Sequence, residues 1–278
     1  RSQNFLADPD VLEAILDLAD PKPGDRILEI GPGLGILTGG LLDAGASVTA
    51  VEIDRGLAGY LRERFDGAIA RTEPLDTTSA AAAGPVTADL PAGAAGRLTL
   101  IEADALDLDL TGLLPPPYKV VANLPYNITS PTLHRLLGGS PVADRIVLML
   151  QAEVADRIAA PPGRMSYLSV FVQYHAEVRV VLRVPAEAFE PAPSVQSAVV
   201  VLEPRPAPDQ AGDEDELWRL VQAGFRERRK MLRNVLGRQL PYDQARVDTA
   251  LAAAGIAGDR RPQTLSVGEW LALRAALR

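Results

Sequence analysis

The sequence predicts an α/β fold, in which a doubly wound parallel sheet is followed by a small C-terminal α-helical domain. Short apolar runs alternate with helical patterns over the first 205 residues, as expected for such a sheet. A glycine-rich turn separates the first strand-like run from the helix after it. From residue 206 onward helical patterns dominate, so we expect two domains, at 1–205 and 206–278.

The elements of the first domain follow from capping residues and apolar spacing. A helix is predicted from Asp8, a favourable N-cap, through Pro9 at its first position to near Asp20. Helical patterns also fill 36–42 and 56–65. Strand-like apolar runs occur at 26–30, 47–51, 98–101, 119–122, 145–150, 178–184 and 198–202.

Two stretches interrupt this alternation. Residues 66–97 are rich in Ala, Thr, Gly and Pro and have little apolar periodicity, which predicts a mobile insertion. Residues 204–215 combine prolines with acids and are typical of a linker. A helical pattern then runs from Glu216 through Leu236, and another covers the last part of the chain.

The composition narrows the classes of function. The chain has 278 residues, no cysteine and two histidines, which excludes disulfides and thiolate-bound zinc or iron–sulfur centres and disfavours other metal sites. It also has no apolar run of about 20 residues, so we expect a soluble, cytoplasmic protein with no metal and no membrane contact. The net charge of −8 argues against binding nucleic acid by bulk charge, so any such contact must be local.

The glycine-rich turn, EIGPGLG at 29–35, lies where a doubly wound fold binds nucleotide-like ligands. Its glycines depart from the dinucleotide pattern GxGxxG, because Ile36 occupies the place of the third glycine. The spacing favours S-adenosyl-L-methionine, with Gly31 and Gly33 allowing the cofactor to approach the backbone. A purely structural turn and an NAD site remain the alternatives.

Two acids at strand ends support a cofactor site. Glu52 ends the second strand, about 20 residues past the first glycine, where a carboxylate can accept hydrogen bonds from both ribose hydroxyls. Asp104 ends the third strand and is placed to accept from the adenine amine of the cofactor. Either acid could instead be a turn former or an N-cap.

The tetrapeptide NLPY at 123–126 indicates the chemistry. The exocyclic amine of adenine is a poor nucleophile, because its lone pair is delocalised into the ring. The Asn123 side-chain oxygen and the Leu124 carbonyl can each accept one N–H hydrogen, which leaves the lone pair aimed at a methyl donor. Pro125 stiffens the turn, and Tyr126 offers a ring face to an unstacked base. The alternative is a β-turn in which Asn and Pro serve only its shape.

These motifs resemble those of a known family. SQNFL at 2–6, EIGPGLG, VEID, DAL and NLPY occur in the order found in the small-subunit (16S) rRNA adenine N6,N6-dimethyltransferases, the KsgA type. MLQAEVADRI, LSVFVQY, FEPAPSVQSAVV and FRERRKMLRNVL extend the resemblance over nearly the whole chain.

The resemblance implies a Rossmann-like S-adenosylmethionine-dependent methyltransferase sheet and a C-terminal RNA-binding domain. It implies that two adjacent adenosines near the 3′ end of 16S rRNA are each dimethylated at N6 during small-subunit biogenesis. Phe189 of FEPAP is implied to close on the target base opposite Tyr126, although taken alone Phe189 would be interpreted as a packing residue. The residues implied to line the cofactor are Asn4, Leu6, Gly31, Glu52, Asp104 and Asn123.

Three other functions compete with this one. The large-subunit rRNA methyltransferase that confers macrolide resistance shares QNF and a related NLPY-type motif, but FEPAPSVQSAVV and FRERRKMLRN are more similar to the small-subunit type. A ribosome-assembly or transcription factor could keep the fold and act by binding alone, which the intact GPGLG, Glu52 and NLPY disfavour. A DNA N6-adenine methyltransferase is disfavoured because the C-terminal domain has no DNA-recognition motif.

A basic segment offers a local RNA contact within an acidic chain. Residues 226–238 carry six cations and one acid, a local charge of +5. As a helix, this segment would turn Met231, Leu232, Val235 and Leu236 towards the core, and its cations would face RNA of the small subunit. The alternative is a solvated helix face. We expect a monomer, and the predicted RNA-binding residues are Arg226, Arg229, Lys230 and Arg233.

Overall fold

The computed structural model describes residues 4–69, 97–206, 213–227 and 229–278, which form two compact units. The first unit comprises Arg1–Ala155 and Val178–Pro204, and the second comprises Asp156–Glu177 and Arg205–Arg278. The second unit therefore resumes near the predicted boundary at 205 but also includes a segment, 156–177, that lies within the predicted first domain.

A mixed seven-stranded sheet forms the centre of the first unit, in the order β4-β3-β2-β5-β6-β9-β7. Strands β2 to β6 pair in parallel, and β9 pairs antiparallel with β6, so the expectation of a wholly parallel sheet is wrong at this edge. The strands are β1 Phe5–Leu6, β2 Arg26–Ile30, β3 Ser47–Glu52, β4 Leu98–Glu102, β5 Lys119–Asn123, β6 Arg145–Gln151, β7 Ala176–Val184, β8 Phe189–Glu190 and β9 Ser197–Pro204.

Helices accompany the strands of the first unit and make up most of the second. Helix α1 is capped as predicted, because the Asp8 carboxylate accepts hydrogen bonds from the N–H groups of Asp10 and Val11. The helices are α1 Pro9–Ala19, α2 Ile36–Asp43, α3 Arg55–Arg64, α4 Thr129–Gly138, α5 Ala152–Ile158, α6 Tyr167–His175, α7 Asp213–Phe225, α8 Leu232–Gln239, α9 Gln244–Ala253 and α10 Val267–Leu277. Short 3-10 helices span Tyr126–Ile128, Ala186–Ala188 and Pro262–Thr264.

The order of the strands in the sheet determines where a ligand site can form. From β2 the chain proceeds outward through β3 and β4, and it then returns to the other side of β2 to form β5 and β6. Ligands of open α/β sheets bind where the strand order reverses in this way, beyond the carboxyl ends of the strands. The turn after β2 and the turn after β5 therefore meet at this edge.

Each unit has its own apolar core. In the first, residues of β2, β5 and β6 are almost fully buried between helices, as the continuous apolar runs predict. In the second, Trp270 of α10 is fully buried among residues of α6 to α9. Helix α10 begins with a capping box in which Ser266 and Glu269 each accept from the other's backbone N–H.

Most residues of the predicted insertion and half of those of the predicted linker are outside the part of the chain that the structure describes. Residues 70–96 of the predicted insertion and 207–212 of the predicted linker are outside the described residues. At the near edge of the insertion, Ile69 forms a bridge with Leu98.

Candidate active site

A cavity of about 970 Å³ opens at the carboxyl ends of the parallel strands in the first unit. It combines a glycine turn, acids, the NLPY turn and three aromatic rings. The predicted cofactor and catalytic residues that line it are Asn4, Leu6, Gly31, Gly33, Glu52, Asp104, Asn123, Leu124, Pro125, Tyr126 and Phe189.

The turn after β2 needs glycine for conformation and for close approach. Gly31 has φ +69°, and a Cβ there would lie 3.8 Å from the Asn123 carbonyl oxygen and 3.7 Å from Pro125. Gly33 has φ +57°, and a Cβ there would lie 3.2 Å from the ring of Phe5. Both backbones occupy a region that side chains disfavour. Gly31 is therefore favoured by its backbone conformation alone, since a Cβ there would make ordinary contacts, whereas a Cβ at Gly33 would also crowd the Phe5 ring.

Glu52, the last residue of β3, is 3% exposed and connects the turn to the neighbouring loop. Its carboxylate accepts hydrogen bonds from the Gly33 N–H at 3.2 Å and from the Asp54 N–H at 2.9 Å. Burial raises the pKa of this carboxyl, and the two backbone donors counteract part of that effect. A carboxylate has about four acceptor positions, so Glu52 retains capacity for a ligand in the cavity it lines.

Asp104 follows β4 and is half-buried. One carboxylate oxygen accepts from the Leu106 N–H at 2.8 Å, and the other has no hydrogen-bond partner among the described residues. The turn-forming role considered from the sequence is therefore present, and an oxygen is still available to a ligand.

The NLPY segment is attached to the sheet at its base and to a second strand at its tip. Asn123 ends β5 opposite Met149, and the Leu124 N–H donates to the Met149 carbonyl at 3.0 Å. The Asn123 side chain forms no hydrogen bond within the described part of the chain. Tyr126 begins a 3-10 helix, and its hydroxyl lies 2.8 Å from the Ser197 hydroxyl. The cavity thus receives a polar amide and an aromatic ring from one short turn.

Two distant segments meet at the cavity as a two-stranded sheet. Leu6 of β1 pairs with Phe189 of β8, and the Ala7 N–H donates to the Ala188 carbonyl at 2.8 Å. Phe189 is 3% exposed and belongs to the apolar core, so the packing role considered from the sequence is present beside its place in the cavity lining. Residues of both strands were predicted to belong to the site, but the pairing of the strands was not predicted, because two-residue strands have no detectable periodicity.

A buried carboxyl beneath the site was not singled out from the sequence. Glu29 of β2 is 1% exposed, and one oxygen accepts from the Thr38 hydroxyl at 2.7 Å while the other has no partner in the described structure. Burial raises its pKa to about 7, with a smaller contribution from the nearby Glu52 charge, against the lowering effect of the Thr38 hydrogen bond. The signal in the sequence was an acid inside an otherwise apolar strand.

The basic residues lie in the second unit and are not part of the cavity lining. The predicted continuous helix is wrong: α7 ends at Phe225 and α8 begins at Leu232, so Arg226, Arg229 and Lys230 lie on the connection rather than along one helix face. Met231 is 42% exposed instead of buried, because it is the N-cap of α8 and has an extended backbone.

Ion pairs divide these cations into two groups. Arg233 pairs with Asp248 at 2.8 Å, and Arg238 pairs with Glu227 at 2.9 Å. Arg226 instead donates to the neutral amide oxygen of Gln239. Arg229 and Lys230 are exposed and form no ion pair with the described residues, and Arg228 lies outside them.

The part of the chain that the structure describes contains neither a metal-binding cluster nor a membrane-spanning helix. No group of three or more His, Cys, Asp or Glu side chains there could hold a metal ion. Likewise, none of the helices described is both long enough and apolar enough to span a membrane.

The fold and the cavity define a class of enzyme. A Rossmann-like α/β sheet with a glycine turn after its first parallel strand and an acid at or just beyond the end of each of the next two strands is the arrangement of S-adenosylmethionine-dependent methyltransferases. The family model for ribosomal RNA adenine dimethylase matches residues 1–76 and 86–277, so the chain belongs to that family. It is therefore an rRNA adenine dimethyltransferase, which confirms the predicted fold and enzyme class.

Individual relatives agree with this assignment. The chain is 40% identical to ribosomal RNA small subunit methyltransferase A of Synechococcus elongatus, over 98% of this chain and 91% of that protein. It is 43% identical to the protein of the same name from Anaeromyxobacter dehalogenans, over 99% and 91% of the two chains. The crystal structure of the 23S rRNA methyltransferase ErmE is similar with a TM-score of 0.71 and 29% identity over 99% of both chains.

Proposed function

We propose that the enzyme transfers methyl groups from S-adenosyl-L-methionine to N6 of two adjacent adenosines near the 3′ end of 16S rRNA during small-subunit biogenesis. The observation that carries this proposal is the position of Asn123–Tyr126, whose amide and ring line the same cavity as the glycine turn and Glu52. Identity is also higher to relatives named for the small subunit than to the 23S enzyme, which favours the small subunit as target.

The residues around the cavity fit S-adenosylmethionine. Gly31 and Gly33 leave backbone surface that a Cβ would cover, and the acids Glu52 and Asp104 provide acceptors for ribose hydroxyls and an adenine amine. Leu6 of β1 and Asn4, just before this strand, also line the cavity. When bound, the cofactor supplies an electrophilic methyl group on its sulfonium.

The NLPY turn prepares the nucleophile. The Asn123 amide has no hydrogen-bond partner among the described residues, so its oxygen is available to accept an N6 hydrogen of adenine. The Leu124 carbonyl is the proposed second acceptor, and together they localise the lone pair by orientation and electrostatics. Tyr126 and Phe189 are proposed to hold the unstacked base between their rings.

The second unit is proposed to hold the ribosomal RNA. Among the described cations of this segment, Arg229 and Lys230, with Arg226 beside them, are the ones that no described carboxylate neutralises. Arg233 has its charge partly compensated by Asp248, so we assign it a smaller part. Since the glycine turn, the two acids and the NLPY turn of one chain line the cavity together, we propose that the enzyme acts as a monomer.

Methyl transfer from labelled S-adenosylmethionine to small subunits lacking the modification tests the function. We expect label in two adjacent adenines near the 3′ end of 16S rRNA. Asn123→Ala should slow single-turnover transfer by about 10²-fold, the loss typical of one preorganised polar group, while the protein stays folded. Label confined to other positions of 16S rRNA would overturn the proposed target, and so would transfer to 23S rRNA alone when large subunits are offered in a parallel assay.

A further inference from the structure

We propose that Ser197 is a positioning residue that sets the ring of Tyr126 for methyl transfer. This inference rests on the proposed function, in which Tyr126 carries the target base. The Ser197 and Tyr126 hydroxyls lie 2.8 Å apart, and Ser197 is fully buried. No other polar contact of the Tyr126 side chain occurs with the described residues.

The two partners are fixed to the same strand. Ser197 is the first residue of β9 and pairs with Gln151, the last residue of β6. The hydrogen bonding between these segments continues just beyond the strands, because the Ala152 N–H donates to the Gln196 carbonyl at 2.9 Å. On the other side, Leu124 anchors the NLPY turn to Met149 of β6. The Tyr126–Ser197 hydrogen bond therefore connects two segments that are each hydrogen-bonded to β6.

Without this bond, little else would determine the orientation of the ring. Tyr126 lies at the start of a three-residue 3-10 helix and is half-buried at the cavity wall. A tyrosine ring can turn about two side-chain torsions, and a base stacked on it turns with it. A hydroxyl held by a rigid strand removes this freedom before the base arrives, which is how positioning contributes to rate.

A double-mutant cycle tests the inference. Ser197→Ala and Tyr126→Phe each delete one hydroxyl, and each should slow single-turnover transfer at saturating cofactor by about two- to tenfold, the equivalent of one neutral hydrogen bond. The double variant should be no slower than either single variant, because the same bond is lost in all three. Cofactor affinity should stay close to wild type, and the thermal midpoint should fall by no more than a few degrees, as expected for one lost hydrogen bond.

A control and a third variant separate the possible outcomes. Tyr60→Phe removes a hydroxyl from a 43% exposed tyrosine on α3, outside the cavity, and should leave the rate unchanged. Tyr126→Ala removes the ring itself and should slow transfer more than Tyr126→Phe does. If Tyr126→Ala is slow but Ser197→Ala or Tyr126→Phe transfers at the wild-type rate, the role of Ser197 is overturned and the proposed function is not. Additive effects of the two single changes in the cycle would lead to the same conclusion. Wild-type transfer by Tyr126→Ala would instead overturn the proposed base platform.

Discussion

Among individual residues, the acids that line the cavity support the fold and keep acceptor oxygens for the proposed ligand. Glu52 fixes the glycine turn through Gly33 and retains acceptor capacity towards the cavity. Asp104 closes a turn with one oxygen and leaves the other without a partner in the described structure. From the sequence, each acid was interpreted either as a cofactor ligand or as a turn former. The geometry leaves room for both roles, because each carboxylate forms backbone hydrogen bonds and still has acceptor capacity.

Replacing Glu52 with Ala should weaken S-adenosylmethionine binding by about 1.5 to 3 kcal/mol, the range for hydrogen bonds to a charged group. The loss includes the ribose contacts and the support that the carboxylate gives to the Gly33 backbone. Titration calorimetry on the folded variant measures it. The matched control is Glu102→Ala, since Glu102 is the register partner of Glu52 on β4 but forms exposed ion pairs with Arg55 and Arg62. Equal cofactor affinities of the two variants would remove Glu52 from the site.

The buried Glu29 predicts a pH dependence of stability. Its pKa is about 7 in the folded protein and near 4.5 in the unfolded chain. Between these two pH values the carboxyl is therefore ionised in the unfolded chain but still protonated in the folded protein. This group therefore stabilises the fold fully at low pH, and its contribution is lost as pH rises towards 7. The amount lost is about 3 kcal/mol, to order of magnitude.

Glu29→Gln, which stays neutral, tests this dependence. The unfolding free energy of the variant minus that of wild type should increase from pH 5 to pH 8 in urea denaturation. A difference that stays constant or decreases with pH would contradict the assignment.

Among the secondary-structure elements, the sequence predicted those that have clear apolar periodicity or capping residues. The central strands β2, β3, β5 and β6 were placed to within a residue or two at each end because continuous apolar runs between turn residues leave few alternatives. The two-residue strands β1 and β8 could not be predicted, because long-range pairing defines them. The break between α7 and α8 was also missed: apolar spacing continues through it, and the turn contains neither Gly nor Pro.

The β1–β8 pair gives a prediction at this scale. Ala7→Pro removes the N–H that donates to Ala188, and proline is compatible with the extended Leu6 before it. Because Asn4 and Leu6 line the cavity, we expect cofactor affinity to fall by about two- to tenfold, the equivalent of one hydrogen bond. Ala7→Ser keeps the N–H and should bind like wild type. Indistinguishable affinities of the Pro and Ser variants would show that the ladder does not shape the cofactor site.

At the scale of the whole molecule, charge is distributed unevenly over an acidic chain. The net charge is −8, yet residues 226–238 carry +5. The structure reduces this surplus by pairing Arg233 and Arg238 with acids, while Arg229 and Lys230 remain exposed on the connection between α7 and α8. The sequence located the basic segment but could not show which cations are neutralised, because Asp248 reaches it from another helix.

Reversing the charges of Arg229 and Lys230 should reveal whether this connection holds the RNA. We expect Arg229→Glu with Lys230→Glu to weaken binding to small subunits and to flatten the dependence of affinity on log salt by about 0.7 to 0.9 per lost phosphate contact. Acidic surfaces elsewhere repel RNA, so selectivity would come from these few favourable contacts. The matched control reverses Arg219 and Arg261, two exposed cations of the same unit that the proposal does not use. It changes the net charge equally and should alter the salt slope much less, and cofactor affinity should be unchanged in both variants. If both double variants lower subunit affinity and salt slope equally, net charge and not this connection governs binding, and the RNA surface must be sought beside the NLPY turn.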